Sequence, residues 1–186
     1  DVPLTKTGIE EAKKAGKLML KHKIAIDLIF SSILKRANNT AEIAIKEMNL
    51  RDFFTKEDKL IMTRNKNLNE RDYGELVGLN KEETANQYGK DQVHVWRRSY
   101  DIAPPGGESL KNVVDRVKPY FEKFIAPELN NQKNILIVAH GNSLRATMIQ
   151  VGLYKADEIS KIELPTGKPF IISYKNGIVI ESKYLS

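Results

Sequence analysis

The chain has 186 residues, enough for one domain with a sizeable core, and its 41% hydrophobic and 29% charged residues are ordinary for a globular protein. Its formal charge of +6 comes from lysines interleaved with glutamates, which argues against a basic arm for nucleic acid, and no apolar run approaches the ~20 residues needed to cross a bilayer. The absence of cysteine excludes a disulfide framework and thiolate metal ligation and points to a reducing, cytoplasmic setting, while three histidines leave little material for a zinc site.

The opening "DVPLTKTG" has neither the basic start nor the apolar segment of a secretory leader, and it reads as a loop before a helix. Thr7-Gly-Ile-Glu10 has the spacing of a capping box, and Ile9, Ala12, Gly16, Met19 and Leu20 then recur at helical spacing, predicting an amphipathic helix over residues 8–22. "IDLIF" (26–30) reads as a short buried strand. It ends at Ser31-Ser32, N-cap chemistry for a helix over 33–48 whose inner face carries Leu34, Ala41, Ile45 and Met48. "LIMT" (60–63) predicts a second strand. The polar stretch 64–80 is too rich in Asn and Gly for regular structure, and long structured loops are often functional.

Residues 81–99 read as helical with a break at Gly89, and Pro104-Pro105-Gly106-Gly107 is a stop. The next helix starts at Glu108 and turns Leu110, Val113, Val117, Phe121 and Phe124 inward. "ILIVA" (135–139) is a third strand, and "KPFIISY" and "GIVIE" are two more, joined by a turn at Asn176-Gly177. Strands alternating with helices predict a single α/β domain over 1–186: a three-layer sandwich with a mostly parallel central sheet and helices on both faces. Ligands of such sheets bind beyond the carboxyl ends of the strands, which puts Ser31, the 64–80 loop and His140 on one rim.

Several residues of that rim are suited to holding an anion. His140 ends a strand, Gly141 lets a ligand approach the backbone, and Asn142 and Ser143 would present donors at a helix start. Arg36 sits about one turn into the helix after the first strand, where a guanidinium can grip two phosphate oxygens. Glu70 and Tyr73 lie in "NERDYG"; a carboxylate beside a phosphate can move protons. Lys81, Arg97 and Arg98 add cations. Taken singly, each has a plainer reading, as a structural histidine, a solvent-facing arginine or an ordinary loop glutamate. Together, with no metal-ligand set, they point to phosphoryl chemistry without a metal, and the element still wanting is a nucleophile.

The stretches "FSSILKRANNTAEI", "LNERDYGELVGLNKEETANQYG", "VWRRSYDI", "GESL", "AHGNSLRA" and "LPTGKP", with "DVPLTKTGIEEAKKAGKLM" before them, resemble the cofactor-dependent phosphoglycerate mutases of the histidine phosphatase superfamily along nearly the whole chain. The resemblance implies a phosphohistidine enzyme that interconverts 3- and 2-phosphoglycerate through a 2,3-bisphosphoglycerate intermediate, primed by that compound and using no metal. It implies His140 and Arg36 on the transferring phosphoryl group, with Gly141 and Asn142 contacting phosphate. Glu70 would be the proton donor and acceptor, and Tyr73, Lys81, Arg97 and Arg98 would hold the substrate. The phosphoglycerates are the partners it implies, with no nucleic acid or membrane, and a homodimer or homotetramer is left open. The family's nucleophile lies in an Arg-His-Gly motif on a first strand ahead of the "DVPLT" stretch. That motif is absent from this sequence, so the chain as given is expected not to turn over. The segment at 103–107 is shorter than in longer family members, and no long C-terminal tail follows "KYLS". Two alternatives remain open: a broad phosphatase of the same superfamily, and a binding protein that senses phosphorylated metabolites.

Overall fold

A computed structural model describes residues 1–186, the side chain of Lys81 excepted. The chain runs α1 (Lys6–Lys21), β1 (Leu28–Ser31), α2 (Lys35–Glu47), β2 (Thr63–Arg64), α3 (Lys81–Tyr88), α4 (Lys90–Arg98), α5 (Leu110–Tyr120), α6 (Ala126–Asn130), β3 (Ile135–Val138), α7 (Gly141–Gln150), α8 (Ala156–Ile159), β4 (Phe170–Lys175) and β5 (Ile178–Tyr184). β1 lies between β2 and β3 in a parallel three-stranded sheet, with Leu28 opposite Ile135 and Ser31 opposite Val138. β4 and β5 form an antiparallel hairpin that is a separate sheet. Asn176 and Gly177 at its turn both have positive φ, 51° and 81°, as a tight turn matching the strand twist requires.

Alternation along the strands builds two cores. Ile29, Leu136, Val138 and Ile171 face a cluster made with Met19 of α1 and Ala41, Ala44, Ile45 and Met48 of α2. Phe30, Ile135, Ile137, Phe170 and Ile172 face the other way, onto Val113 and Val117 of α5 and Ala146 and Met148 of α7. Residues of both the parallel sheet and the hairpin thus feed the same two layers, the helix–sheet–helix sandwich expected from the alternation of elements. β3 pairs on one edge with β1 and is only half-buried along its length, although all four of its residues are apolar. Gly16 lets α1 approach α2: a Cβ there would run into the carbonyl of Ala44 and come within 2.7 Å of the Glu47 Cβ.

Several local expectations shift by a few residues. Thr5 rather than Thr7 caps α1, its hydroxyl accepting the Gly8 N–H at 3.1 Å. Ser32 does not cap α2; Leu34 holds that position, and the Ser32 hydroxyl is used at the site. The strand expected at 60–63 shrinks to Thr63–Arg64, with Leu60 in an isolated bridge to Phe54. α5 begins at Leu110 under a Ser109 capping box, two residues after the expected Glu108. Phe124, expected inward, is 46% exposed because the chain passes into a π-helical turn over Phe121–Ile125 and loses the 3.6-residue phase. The break at Gly89 is where it was expected, with φ 82° separating α3 from α4.

Candidate active site

The carboxyl ends of β1 and β3 lie side by side, with the Ser31 hydroxyl donating to the Val138 carbonyl at 2.8 Å. The chain leaves β3 into His140, the N-cap residue of α7, and leaves β1 into Ser32. Their side chains meet: His140 Nε2 and Ser32 Oγ are 2.8 Å apart, and the same hydroxyl accepts the Leu34 N–H at 3.1 Å. His140 is therefore not loose at the rim; it is 8% exposed and fixed on its β1 side. Burial pulls its imidazole down from 6.5 to about 4, the positive charges of Arg36 and Arg116 adding to the effect and Glu70 opposing it. The ring stands neutral at pH 7, in the field of the two groups that the sequence had associated with it.

The polar loop brings Glu70 to the start of α7. Its Oε1 accepts from the Asn142 amide N–H at 3.3 Å, from Asn142 Nδ2 at 3.0 Å and from the Arg71 N–H at 2.7 Å. The free N–H groups and positive end of a helix favour a carboxylate there. Glu70 Oε2 has no hydrogen-bond partner among the described residues and points along the Gly141 backbone, 3.9 Å from where a Cβ of that glycine would lie. Asn142, expected to contact a ligand phosphate, lines the cleft and donates to Glu70 and to the Tyr73 hydroxyl, 3.4 Å away. Any side chain at Gly141 would crowd an Arg145 guanidinium nitrogen at 3.2 Å.

Beyond Tyr73 and Asn142 a cleft opens, lined by Arg71, Arg97, Arg98 and Arg145, with no carboxylate in its wall among the described residues. Arg97 and Arg98 are exposed at the end of α4. Arg36 is half-buried near the start of α2, and its guanidinium makes no hydrogen bond among the described residues. The side chain of Lys81 lies outside the described residues, so its expected role has no geometry here. The other two histidines are elsewhere: His22 lies 3.0 Å from the Ser186 carbonyl oxygen at the end of α1, and His94 is exposed on α4.

Four residues of the site escaped the sequence reading. Arg71 is 3% exposed; its Nη2 donates to the Trp96 carbonyl at 3.0 Å, its guanidinium lies 4.5 Å over the Tyr73 ring, and its buried Nε has no partner among the described residues. Arg145 donates twice to the Ile162 carbonyl, at 3.1 and 2.7 Å, and turns toward Gly141. The signal for Arg145 was its place one turn after Gly141 on the same helix. Ser32 and Arg116 carried no such signal, since their partners are distant in the chain.

An anion suits this place. Several guanidinium groups, one of them with an orphaned buried N–H, face a cavity without acidic groups, beside a neutral imidazole and a carboxylate with one free oxygen. Among the described residues, no group of three or more His, Cys, Asp or Glu could hold a metal ion, and no helix is long and apolar enough to cross a membrane.

Comparison with known proteins places the chain. The family model described as histidine phosphatase superfamily (branch 1) matches residues 1–181. The 2,3-bisphosphoglycerate-dependent phosphoglycerate mutase of Methylocella silvestris is 45% identical over 183 residues, covering 98% of this chain and 85% of that protein. The protein of the same name from Parvibaculum lavamentivorans is 41% identical over 181 residues, covering 96% of this chain and 83% of its own length. Among solved structures, a mycobacterial glucosyl-3-phosphoglycerate phosphatase matches with a TM-score of 0.74 at 20% identity, covering 98% of this chain and 86% of that one. A putative alpha-ribazole-5'-P phosphatase from Escherichia coli matches with a TM-score of 0.74 at 23% identity, covering 98% and 83%. At those identities the structural likeness speaks for the fold alone. With a family match along nearly its whole length and relatives above 40% identity, the chain belongs to the histidine phosphatase superfamily, among its 2,3-bisphosphoglycerate-dependent phosphoglycerate mutases.

Proposed function

We propose that the full-length protein interconverts 3-phosphoglycerate and 2-phosphoglycerate by way of 2,3-bisphosphoglycerate, passing a phosphoryl group between substrate and the nucleophilic histidine of the family's Arg-His-Gly motif, which is distinct from His140 and not contained in this sequence. The observation that carries this reading is the division of labour on Glu70: Oε1 is held by three donors and Oε2 is free beside the cationic cleft. Such a carboxylate is oriented by one oxygen and can carry a proton on the other. When the phosphorus–oxygen bond of a phosphoglycerate breaks, the proton passes from Oε2 to the departing alkoxide oxygen. In the reverse transfer the same oxygen takes a proton from the attacking hydroxyl.

The remaining roles follow from charge and position. Arg36 and His140 lie at the inner end, where Arg36 would grip the phosphoryl oxygens and the imidazole would donate to them as their charge grows. Arg97, Arg98 and Tyr73, with Lys81, would hold the carboxylate and outer phosphate of a small acid across the cleft, and Gly141 would leave room for it. A pocket that grips both ends favours returning the phosphoryl group to the same carbon skeleton over losing it to water. 2,3-bisphosphoglycerate would supply the phosphoryl group that primes the histidine, and the orphaned Arg71 Nε and the acid-free wall fit a polyanion.

The test is an assay of the full-length protein on 3-phosphoglycerate, with and without added 2,3-bisphosphoglycerate, beside a generic phosphate ester. Conversion to 2-phosphoglycerate that rises with the bisphosphate and outpaces ester hydrolysis is the expected result. Hydrolysis of varied esters at equal or greater rate would assign the protein to phosphatase chemistry, and binding without turnover would assign it to metabolite sensing.

A further inference from the structure

The loop that carries Glu70 has little regular structure to hold it: one 3₁₀ turn over Lys66–Leu68 and another over Gly74–Leu76. Five hydrogen bonds from a single side chain on α5 take the place of a ladder. Arg116 Nη1 donates to the Asn67 carbonyl, and Nη2 lies 3.1 Å from the Asn69 carbonyl and 3.2 Å from that of Glu70 itself. Its Nε and Nη2 also fork onto Glu108, at 2.8 and 3.0 Å. Glu108 in turn accepts the Asp72 N–H at 3.0 Å, and its own N–H donates to the Asp72 carbonyl at 2.8 Å.

Backbone groups on both sides of Glu70 are thus tied to one guanidinium–carboxylate pair, its Arg116 mounted on a helix whose Val113, Val114 and Val117 are buried in the core and its Glu108 just ahead of that helix's Ser109 cap. Burial pushes the Glu108 carboxyl up, but its hydrogen bonds to Arg116 and Asp72 and the charges of Arg116 and Arg71 outweigh this and hold it below the usual carboxylate range. Neither group touches the cationic cleft. A lysine could not replace the fork, since an ammonium cannot present coplanar donors to a carboxylate and three carbonyls at once.

We propose that the Arg116–Glu108 pair is a positioning device for proton transfer, setting where the free oxygen of Glu70 sits relative to the reacting ester. This rests on the proton-transfer role given to Glu70 above. Because neither residue lines the cleft, loss of the pair displaces the proton donor without emptying the phosphate site, and misplacement by about 1 Å can cost on the order of 10²-fold in rate.

The experiment compares two substrates in the full-length protein. An alkyl ester such as phosphoglycerate needs a proton on its leaving oxygen, whereas p-nitrophenyl phosphate releases a stable anion and needs none. R116M is expected to lower kcat on phosphoglycerate about 100-fold with KM within about twofold, and to lower turnover of p-nitrophenyl phosphate at least tenfold less. R116K should fall between R116M and the native protein, and E108Q should show the same pattern at about a tenfold loss; should R116M fail to fold, E108Q decides. E70Q serves as the reference. If E70Q is selective for the alkyl ester while folded R116M and E108Q lose both activities equally, or neither, the positioning role is overturned and the role of Glu70 stands. If E70Q itself loses both equally, the proton-transfer reading falls, and the proposal with it.

Discussion

The inner and outer halves of the site are built in opposite ways. Around His140 and Glu70 the side chains are held in place by protein: Nε2 by Ser32, Oε1 by three donors, and the loop carbonyls by Arg116, with Glu70 Oε2 and the Arg36 guanidinium left without a partner among the described residues. Around the cleft, Arg97 and Arg98 are exposed, and Arg71 keeps an unpaired Nε. The contrast follows from what each half must do. Groups that act on a developing charge work best when fixed before the reaction, because no reorganisation is then needed. Groups that capture a diffusing anion must keep donors free for it, at the cost of exposure or an unsatisfied N–H.

The sharpest way to break this contrast is at Glu70. E70Q keeps the shape and the acceptor oxygen but cannot carry the proton, so kcat on phosphoglycerate is expected to fall by roughly 10²- to 10⁴-fold with little change in KM. Unchanged kcat in steady-state assays would remove Glu70 from the inner half.

His140 provides a thermodynamic counterpart. The unfolded chain takes up a proton on this ring near 6.5, whereas the folded ring resists until about 4. The unfolded state binds the proton more tightly, so this contribution to stability is present above 6.5, is lost as pH falls toward 4, and amounts in all to on the order of 3 kcal/mol. Denaturant titrations across that window, native against H140N, would test it; equal slopes would contradict a neutral, buried ring. Glu108 loses its contribution further down, as pH falls through its depressed folded value. Added inorganic phosphate should move the His140 resonance in the opposite sense, raising its titration point as an anion enters.

In the outer half, R97A or R98A is expected to raise KM for phosphoglycerate about 10- to 100-fold while leaving stability close to native, because the exposed guanidinium groups contribute charge-assisted bonds only when ligand is present. The same variants should raise the ratio of hydrolysis to mutase turnover, and an unchanged ratio would argue that the cleft does not retain the intermediate. Smaller again is the effect of joining the loops wrongly. Gly74 has φ 54°, and a Cβ there would run into the Pro105 carbonyl and the Gly107 amide, so G74A is expected to cost about 1–3 kcal/mol of stability in thermal or denaturant unfolding. A chelator such as EDTA should leave activity unaffected; inhibition reversed by added metal would expose a site that the described residues do not form.

Much of this was legible in the residues. The strand endings at Ser31 and His140 and the rim they share came from apolar runs stopping at polar residues, and the parallel pairing of β1 with β3 bears out the reading. The Gly89 break and the Asn176-Gly177 turn were visible for a similar reason, since local backbone geometry is written in residues that tolerate positive φ. Less legible were the points at which long-range contacts override local preference. Ser32 has cap chemistry, yet it is drawn to an imidazole 108 residues away. Asn142 also donates to a carboxylate 72 residues away, a contact that no local pattern announces. The sheet also differs from a continuous one: three strands are parallel and the hairpin stands apart, though both feed the same cores.

By itself the sequence determined the class of the fold, the order of its elements, and the set of cations, imidazole and carboxylate available to a phosphorylated acid, because periodicity, capping residues and charge are local properties of the chain. Only the tertiary structure decided which oxygen of Glu70 is free, that the His140 ring is buried and neutral, and that Arg116 holds the loop between them. Those depend on hydrogen bonds between segments that the folded cores bring within 3 Å or so, and no local pattern records the distance at which two such segments will meet.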